Sequence, residues 1–202
     1  AMRAQGRLTE EIIASRLLAA DLGLQSAAEV LRAPGPLLQR DPAWARERLR
    51  GRLAALPQLR AMWVLDGRGR IIFDSDSGNF GLDLSDRDFF TAHRDGRVPG
   101  LFVGRGIRST TGDWIVPLSR EVRDAAVNLD AVFVAALEPR YFVGLWGDVD
   151  VGANGSISLL SGDGVLLMRS PARDELLGQS FAKSPVVGAM LGQPAGFIHR
   201  AY

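Results

Sequence analysis

The sequence predicts an α+β protein in which one long N-terminal helix precedes two modules, each built around a central antiparallel sheet. Apolar residues recur at three- and four-residue spacing over residues 8–32, which indicates an amphipathic helix. Beyond Pro57 the chain changes to short apolar runs, and two hairpins turn on Asp-Gly pairs at residues 66–67 and 163–164. The second module has only three strand candidates. We therefore expect it to be smaller and incomplete, with native chain missing after Tyr202.

The composition limits the classes of function. The chain has 202 residues, of which 47% are hydrophobic and 23% charged, and its net charge of +1 gives no strong field that would attract nucleic acid. Because there is no cysteine, disulfides, thiolate metal sites and a cysteine nucleophile are excluded. No apolar run reaches the roughly 18 residues that span a bilayer. We expect any membrane segments to lie outside this sequence.

The N-terminal region, residues 1–57, is predicted to hold two helices. In the first, Thr9 and the acids after it would cap residues 8–32, and the prolines on either side of Gly35 would end the helix. Asp41 and Pro42 then supply an N-cap and a first-turn proline for a second helix over residues 43–56.

The first sheet-containing module is predicted over residues 58–150 and the second over residues 151–202. In the first, we predict strands at residues 61–65, 70–73, 101–103, 114–118 and 131–137, and then a helix that begins at Glu138 and Pro139. In the second, we predict strands at residues 156–160, 165–168 and 197–201, with a short helix at residues 173–177 and an apolar segment at residues 186–191.

The segment over residues 85–90 is the candidate binding site for a small anionic or amphipathic molecule. A guanidinium such as that of Arg87 binds a carboxylate through two hydrogen bonds, but it could instead pair with a neighbouring aspartate. Phe89 and Phe90 follow directly, and each would either fill the core or line the pocket. Trp114 would form a cavity wall or pack in the core.

The predicted strand that begins at Trp114 ends at two polar residues, Ser119 and Arg120. Because side chains alternate along a strand, at most one of the two points into the pocket. The predicted binding residues are Arg87, Phe89, Phe90, Trp114, Ser119 and Arg120.

The sequence gives little support for a metal site or a catalytic site. The run from Asp74 to Gly78 lacks the ligands of an EF-hand loop at its later positions, so we interpret it as a polar turn. His93 and His199 are far apart in sequence, which argues against a transition-metal site. No phosphate-binding, dinucleotide-binding or nucleophile-elbow motif occurs. We therefore predict no metal, no cofactor and no catalytic activity.

Five motifs in this order resemble the double Cache sensor domains of bacterial transmembrane receptors. They are FDSDS, SDRDFF, WIVPLSREV, VFVAALEPRYF and LLSGDGVLLMRSP, and together they cover essentially the whole chain. The resemblance implies PAS-like sheets in both modules and a position on the periplasmic face of the inner membrane. It also implies a small-molecule ligand and a cytoplasmic diguanylate cyclase, histidine kinase or chemotaxis output. We further expect that the N-terminal helix pairs with its copy in a homodimer and carries the signal towards the membrane.

The resemblance also bears on the ligand. In the subset of the family that binds amino acids, Arg87 matches the arginine that holds the ligand carboxylate, and Phe89 and Phe90 occupy the tryptophan and tyrosine positions. A further tyrosine position falls at Leu82, and the aspartate that holds the ligand ammonium falls near Ala136. An unpaired buried ammonium is costly. We therefore expect a ligand other than an α-amino acid, such as an organic acid.

Two alternatives stay open at this point. The first is a ligand-free periplasmic module for protein interaction or dimerisation, whose aromatic residues fill the pocket. The second is a hydrolase, suggested only by the cluster of Asp83, Asp86 and Asp88.

Overall fold

The computed structural model describes residues 2–33, 35–109, 111–152 and 155–191, with the backbone alone for residues 2–7. The helices are α1 (Met2–Arg32), α2 (Pro42–Leu53), α3 (Asp88–Arg94), α4 (Pro139–Trp146) and α5 (Pro185–Gly188), with 3-10 turns at Leu37–Gln39 and Asp174–Leu176. The strands are β1 (Leu59–Asp66), β2 (Ile71–Asp74), β3 (Phe102–Val103), β4 (Ile107–Arg108), β5 (Trp114–Arg123), β6 (Leu129–Leu137), β7 (Ile157–Leu160) and β8 (Leu166–Ser170). The α+β prediction is confirmed.

The main sheet is antiparallel, with strand order β2-β1-β6-β5-β3, and β4 pairs with β5 beyond the end of β3. Central strand β6 pairs with both β1 and β5, and its residues 131–137 are all buried. Its alternate side chains therefore enter two different cores, one on each face of the sheet. Strand β4 was not predicted, because two residues are too short to show a periodic pattern.

Helices α1 and α2 cover one face of the sheet. Ala20, Leu24, Ala27 and Leu31 of α1 are buried there, as the apolar spacing predicts. The helix begins at Met2, so the predicted cap at Thr9 is wrong: Thr9 lies inside the helix and is buried.

The second helix follows its predicted signals at the start. The Asp41 carboxylate accepts a hydrogen bond of 2.8 Å from the backbone N–H of Ala43, and Pro42 occupies the first turn. The helix ends at Leu53, three residues earlier than predicted.

The opposite face of the sheet carries α3 and the loops around it. Phe89 and Phe90 of α3 are fully buried against Leu65, Val132 and Val134. This second core fills one end of the face. The other end is formed by smaller side chains and holds the candidate site.

Strands β7 and β8 form a separate two-stranded sheet next to α4. We keep the division into residues 1–57, 58–150 and 151–202 as a proposal, which the separate sheet supports. The predicted last strand at residues 197–201 and His199 lie outside the described residues. Within the described part of the chain, no helix is both long and apolar enough to cross a bilayer.

Candidate functional site

A cavity of about 170 Å³ lies on the α3 face of the sheet. Its floor is formed by Ala61 and Ala136, which are paired across β1 and β6, together with Ile115 of β5. The side chains of the two alanines are short and leave this end of the face unfilled. The walls are formed by the loop over residues 76–87, by strand β4, and by Ser109 and Thr111.

Three guanidinium groups line this cavity. Arg87 pairs only loosely with Asp86, at 3.5 Å between Nε and Oδ1, and its side chain is 49% exposed. Arg60 binds Asp113 at 2.7 Å. Arg108 donates to the carbonyl of Gly112 at 3.2 Å. The ion pair of Arg87 is therefore longer than that of Arg60, and the partner of Arg108 is a neutral carbonyl.

A neutral hydrogen-bond donor in the wall has no partner. Trp63 lines the cavity, and its indole N–H is buried without an acceptor. The ring is held edge-on against Phe89, with centroids 6.5 Å apart. A buried donor left unpaired is unfavourable by about 1–3 kcal/mol. An acceptor atom of a bound molecule would remove that penalty.

Two carboxylates lie at the β2 end of the same cavity. Asp74 is buried and accepts hydrogen bonds from the backbone N–H of Asp76 at 2.9 Å and from the Asn79 side chain at 2.7 Å. These bonds build the polar turn that the sequence predicts. Asp76 also lines the cavity and is exposed. In the described residues, no group of three His, Asp or Glu side chains is arranged to hold a metal ion.

The structure does not bring the six predicted binding residues together in this cavity. Of the six, Arg87 is the one that lines this cavity. Phe89 and Phe90 are core residues with at most 1% exposure. Both residues lie on the side of α3 that faces the sheet, where burial of their apolar side chains stabilises the fold. They therefore do not line the cavity.

The other three predicted residues contact different parts of the molecule. Trp114 donates its indole N–H to the carbonyl of Leu167 at 3.0 Å, towards the second sheet. Ser119 and Arg120 point to opposite faces, as alternation predicts. Ser119 is buried next to α3, whereas Arg120 reaches across to Asp21 of α1.

His93 belongs to a buried polar network that the sequence analysis missed. The Ser119 hydroxyl donates to the Phe89 carbonyl at 3.0 Å and therefore accepts from the imidazole Nε2–H of His93 at 2.9 Å. Burial lowers the pKa of His93, and the nearby Glu121 carboxylate opposes this shift. His93 is four residues after Phe89 in the same helix, and that spacing was the available signal.

Arg60, Trp63 and Arg108 were also missed as cavity residues. Trp63 is separated by one residue from Ala61 in β1, so alternation places both on one face. Arg60 and Arg108 reach the cavity only through the pairing of distant strands. No local pattern marks them.

Comparisons with known proteins match this chain to sensor domains of histidine kinases. The sequence profile of the dCache_1_like family, described as a histidine kinase sensor domain, matches residues 139–201. The extracellular domain of the candidate histidine kinase rpHK1S-Z16 is 30% identical with a TM-score of 0.77, and the alignment covers 91% of this chain and 75% of that one. No curated protein matches significantly.

Two more distant structures share the fold. An extracellular ligand-binding receptor from Desulfohalobium retbaense is 19% identical with a TM-score of 0.73, over 94% of this chain and 34% of the receptor. The ligand-binding domain of the Pseudomonas fluorescens chemoreceptor CtaA, in complex with L-isoleucine, is 17% identical with a TM-score of 0.67, over 91% of this chain and 72% of that one.

Proposed function

This chain belongs to the double Cache family of extracytoplasmic sensor domains, and we propose that its cavity beside Arg87 binds a small organic carboxylate. Modules of this family bind ligands and are not catalytic. We place the domain on the periplasmic side of the inner membrane. The proposed output is that of a histidine kinase, diguanylate cyclase or chemoreceptor.

One observation carries the carboxylate proposal. Three guanidinium groups and an unpaired indole N–H surround a single cavity, and the guanidinium of Arg87 has only a loose ion pair. Guanidinium groups bind carboxylates with two parallel hydrogen bonds. The indole N–H would donate to a further oxygen of the ligand.

The size of the cavity suits a small molecule. An engineered apolar cavity of about 150 Å³ in another protein holds benzene, so the 170 Å³ beside Arg87 has room for an organic acid of a few carbon atoms. A ligand-free interaction module would instead have its aromatic side chains filling this space. Phe89 and Phe90 fill the adjacent core and leave the cavity open, which supports the ligand-binding alternative.

The chemoreceptor CtaA holds L-isoleucine, an α-amino acid. In this chain the position that the resemblance assigns to the counter-charge of the ammonium group is Ala136, which lies in the cavity floor. Both carboxylate oxygens of Asp74 already accept hydrogen bonds. We therefore propose an acid without an α-ammonium group.

Binding would act across the sheet. The ligand would lie between the loops and the α3 face, whereas α1 lies on the other face, linked to β5 through Arg120 and Asp21. A ligand that favours one arrangement of the sheet relative to α1 by a few kcal/mol would reset a two-state equilibrium.

The test is a thermal-shift screen of organic acids, amino acids, amines and nucleobases, followed by calorimetry of the hits. Loss of a charge-assisted hydrogen bond removes about 1.5–3 kcal/mol. Arg87→Gln should therefore weaken binding of an acid by roughly 10- to 150-fold, and Trp63→Phe by a smaller factor.

Arg94→Gln is the matched control, because this side chain is 51% exposed and lies outside the cavity. Two results would contradict the proposal. One is that no compound in the panel raises the melting temperature. The other is that Arg87→Gln and Arg94→Gln behave alike.

We also propose that two copies pair through α1. Leu8, Leu18 and Leu22 lie on one side of this helix and are 55–59% exposed, which leaves three large apolar side chains in water. The pair Leu18→Glu with Leu22→Glu should abolish the dimer in sedimentation equilibrium. Leu38→Glu is the control, since Leu38 is exposed outside α1. A wild-type chain that stays monomeric at millimolar concentration would rule out this mode of pairing.

A further inference from the structure

A second cavity, of about 310 Å³, lies between the main sheet and the β7–β8 hairpin. We refer to it as the hairpin cleft and define it by Arg108, Trp114, Arg140, Met168, Arg169 and Arg173, which all line it. It is separate from the cavity beside Arg87, although Arg108 lines both. Arg60, Trp63 and Arg87, the other groups proposed above to bind the carboxylate, do not line the hairpin cleft.

The hairpin cleft has a positive charge balance. Four arginines line it, at positions 108, 140, 169 and 173, against two aspartates, Asp113 and Asp174. Asp113 is already bound to Arg60 at 2.7 Å, and this hydrogen bond holds the pKa of Asp113 below its ordinary value. The charge of Asp113 is therefore largely balanced by Arg60, which does not line the cleft.

One of the four guanidinium groups has a donor that nothing satisfies. The Nε–H of Arg169 is buried and has no hydrogen-bond partner, while its Nη1 donates to the Ser158 hydroxyl at 3.1 Å. Arg173 makes only a 3.9 Å ion pair with Glu175, and its side chain is 63% exposed. The Arg173 guanidinium is thus accessible to a further anion, and the buried Nε–H of Arg169 still lacks an acceptor.

The rest of the wall is apolar and well anchored. The indole ring of Trp114 stands over the cleft, fixed by its hydrogen bond to the Leu167 carbonyl and by the Arg108 guanidinium 5.8 Å from the ring centroid. Met168 and Leu177 add apolar surface. A cavity of this volume is at the lower end of the range for small-molecule sites.

We propose that the hairpin cleft binds a small polyanion, a molecule with several closely spaced carboxylate or phosphate oxygens. Arg108 and Arg140 approach from the main sheet and α4, and Arg169 and Arg173 approach from β8 and the segment after it. A polyanion in the cleft would cross-link these two parts of the chain. Because Arg108 lines both cavities, occupancy of one site is expected to change the affinity of the other, and the coupling must be reciprocal.

The experiment is calorimetric titration of the whole chain with citrate and, separately, with inorganic phosphate. Sodium chloride at matched ionic strength is the reference for nonspecific charge effects. We expect citrate or phosphate to bind at least tenfold more tightly than chloride. Binding of citrate alone would identify a polycarboxylate site, binding of phosphate alone a phosphate site, and either result supports the proposal.

The variants separate this site from the cavity beside Arg87. Arg173→Gln changes an exposed side chain and should weaken polyanion binding about tenfold, and Arg169→Gln combined with it should weaken binding further. Neither Arg173 nor Arg169 lines the cavity beside Arg87, so failure of the carboxylate proposal does not affect this one. Arg94→Gln, a surface variant outside both cavities, should leave polyanion binding unchanged. Binding of citrate and phosphate that is no tighter than binding of chloride, or equal weakening by Arg94→Gln, would overturn the proposal.

Discussion

The ion pair between Arg120 and Asp21 provides the sharpest test of how the N-terminal helix is attached to the sheet. Its two hydrogen bonds, Nε to Oδ1 at 2.6 Å and Nη2 to Oδ2 at 3.0 Å, join residues 99 positions apart. The Asp21 side chain is 14% exposed and that of Arg120 is 30% exposed. This is a partly buried, bidentate pair, and its hydrogen bonds raise the pKa of Arg120.

Arg120→Met keeps the aliphatic part of the side chain and removes the charge. Asp21 would then be left largely desolvated, with the Gln25 amide at 3.1 Å as its other donor. Hydrogen bonds to charged groups contribute about 1.5–3 kcal/mol, and the partial exposure reduces this. We expect a loss of about 2 kcal/mol in the free energy of unfolding, or a fall of roughly 4–8 °C in Tm for a chain of this length.

The measurement is urea unfolding followed by circular dichroism and tryptophan fluorescence, whose coincidence checks two-state behaviour. A double-mutant cycle with Asp21→Asn isolates the pairwise energy, for which we expect about 1–2 kcal/mol. Arg94→Met breaks an exposed ion pair with Asp95 and should cause no measurable change. A coupling energy below about 0.5 kcal/mol would mean that the pair of Arg120 and Asp21 contributes no more stability than an ordinary exposed ion pair. That result would refute the prediction.

Two further predictions concern the sheet and the buried histidine. Gly67→Ala places a Cβ 2.4 Å from the Leu129 carbonyl oxygen and should destabilise the fold by about 1–3 kcal/mol. Gly51→Ala in α2 meets nothing within 4 Å and should stabilise the fold by about 0.5–1 kcal/mol. Chemical denaturation that ranks the two variants in the opposite order would contradict both packing arguments. Because burial lowers the pKa of His93, the neutral imidazole adds stability that is full above the unfolded pKa of about 6.5 and is lost as the pH falls from there towards the folded pKa. Glu121 and Arg123 face this imidazole, so His93→Gln tests it directly: the urea midpoint of the variant should depend less on pH between 7.5 and 5.5, and equal slopes for the two proteins would disprove the assignment.

The local elements could be predicted because their signals are adjacent in sequence. The cap at Asp41 and the Asp-Gly hairpins depend on residues within a few positions of one another. The alternation of side chains along β5 also predicted correctly that Ser119 and Arg120 point to opposite faces of the sheet. The partner of Arg120 could not be predicted, since Asp21 lies on another element and no local pattern connects the two.

The candidate site could be predicted only in part, for the same reason. Arg87 was identified, and the structure places it at a cavity; that it binds a ligand stays a prediction. Phe89 and Phe90 were expected near the ligand, but the helical spacing turns both into the core. The cavity itself arises where Ala61 and Ala136 meet across two strands, and that pairing depends on the register of a non-local sheet.

The central strand β6 constrains how proteins of this shape can diversify. In its buried run over residues 131–137, side chains alternate between the core under α1 and the opposite face, which carries the core beside α3 and the cavity floor at Ala136. Inserting or deleting one residue there would exchange the two sets of side chains and place Phe133 where Val132 or Val134 now lies. New specificities should therefore arise by substitution within β6, with changes of length confined to the loops that form the cavity walls.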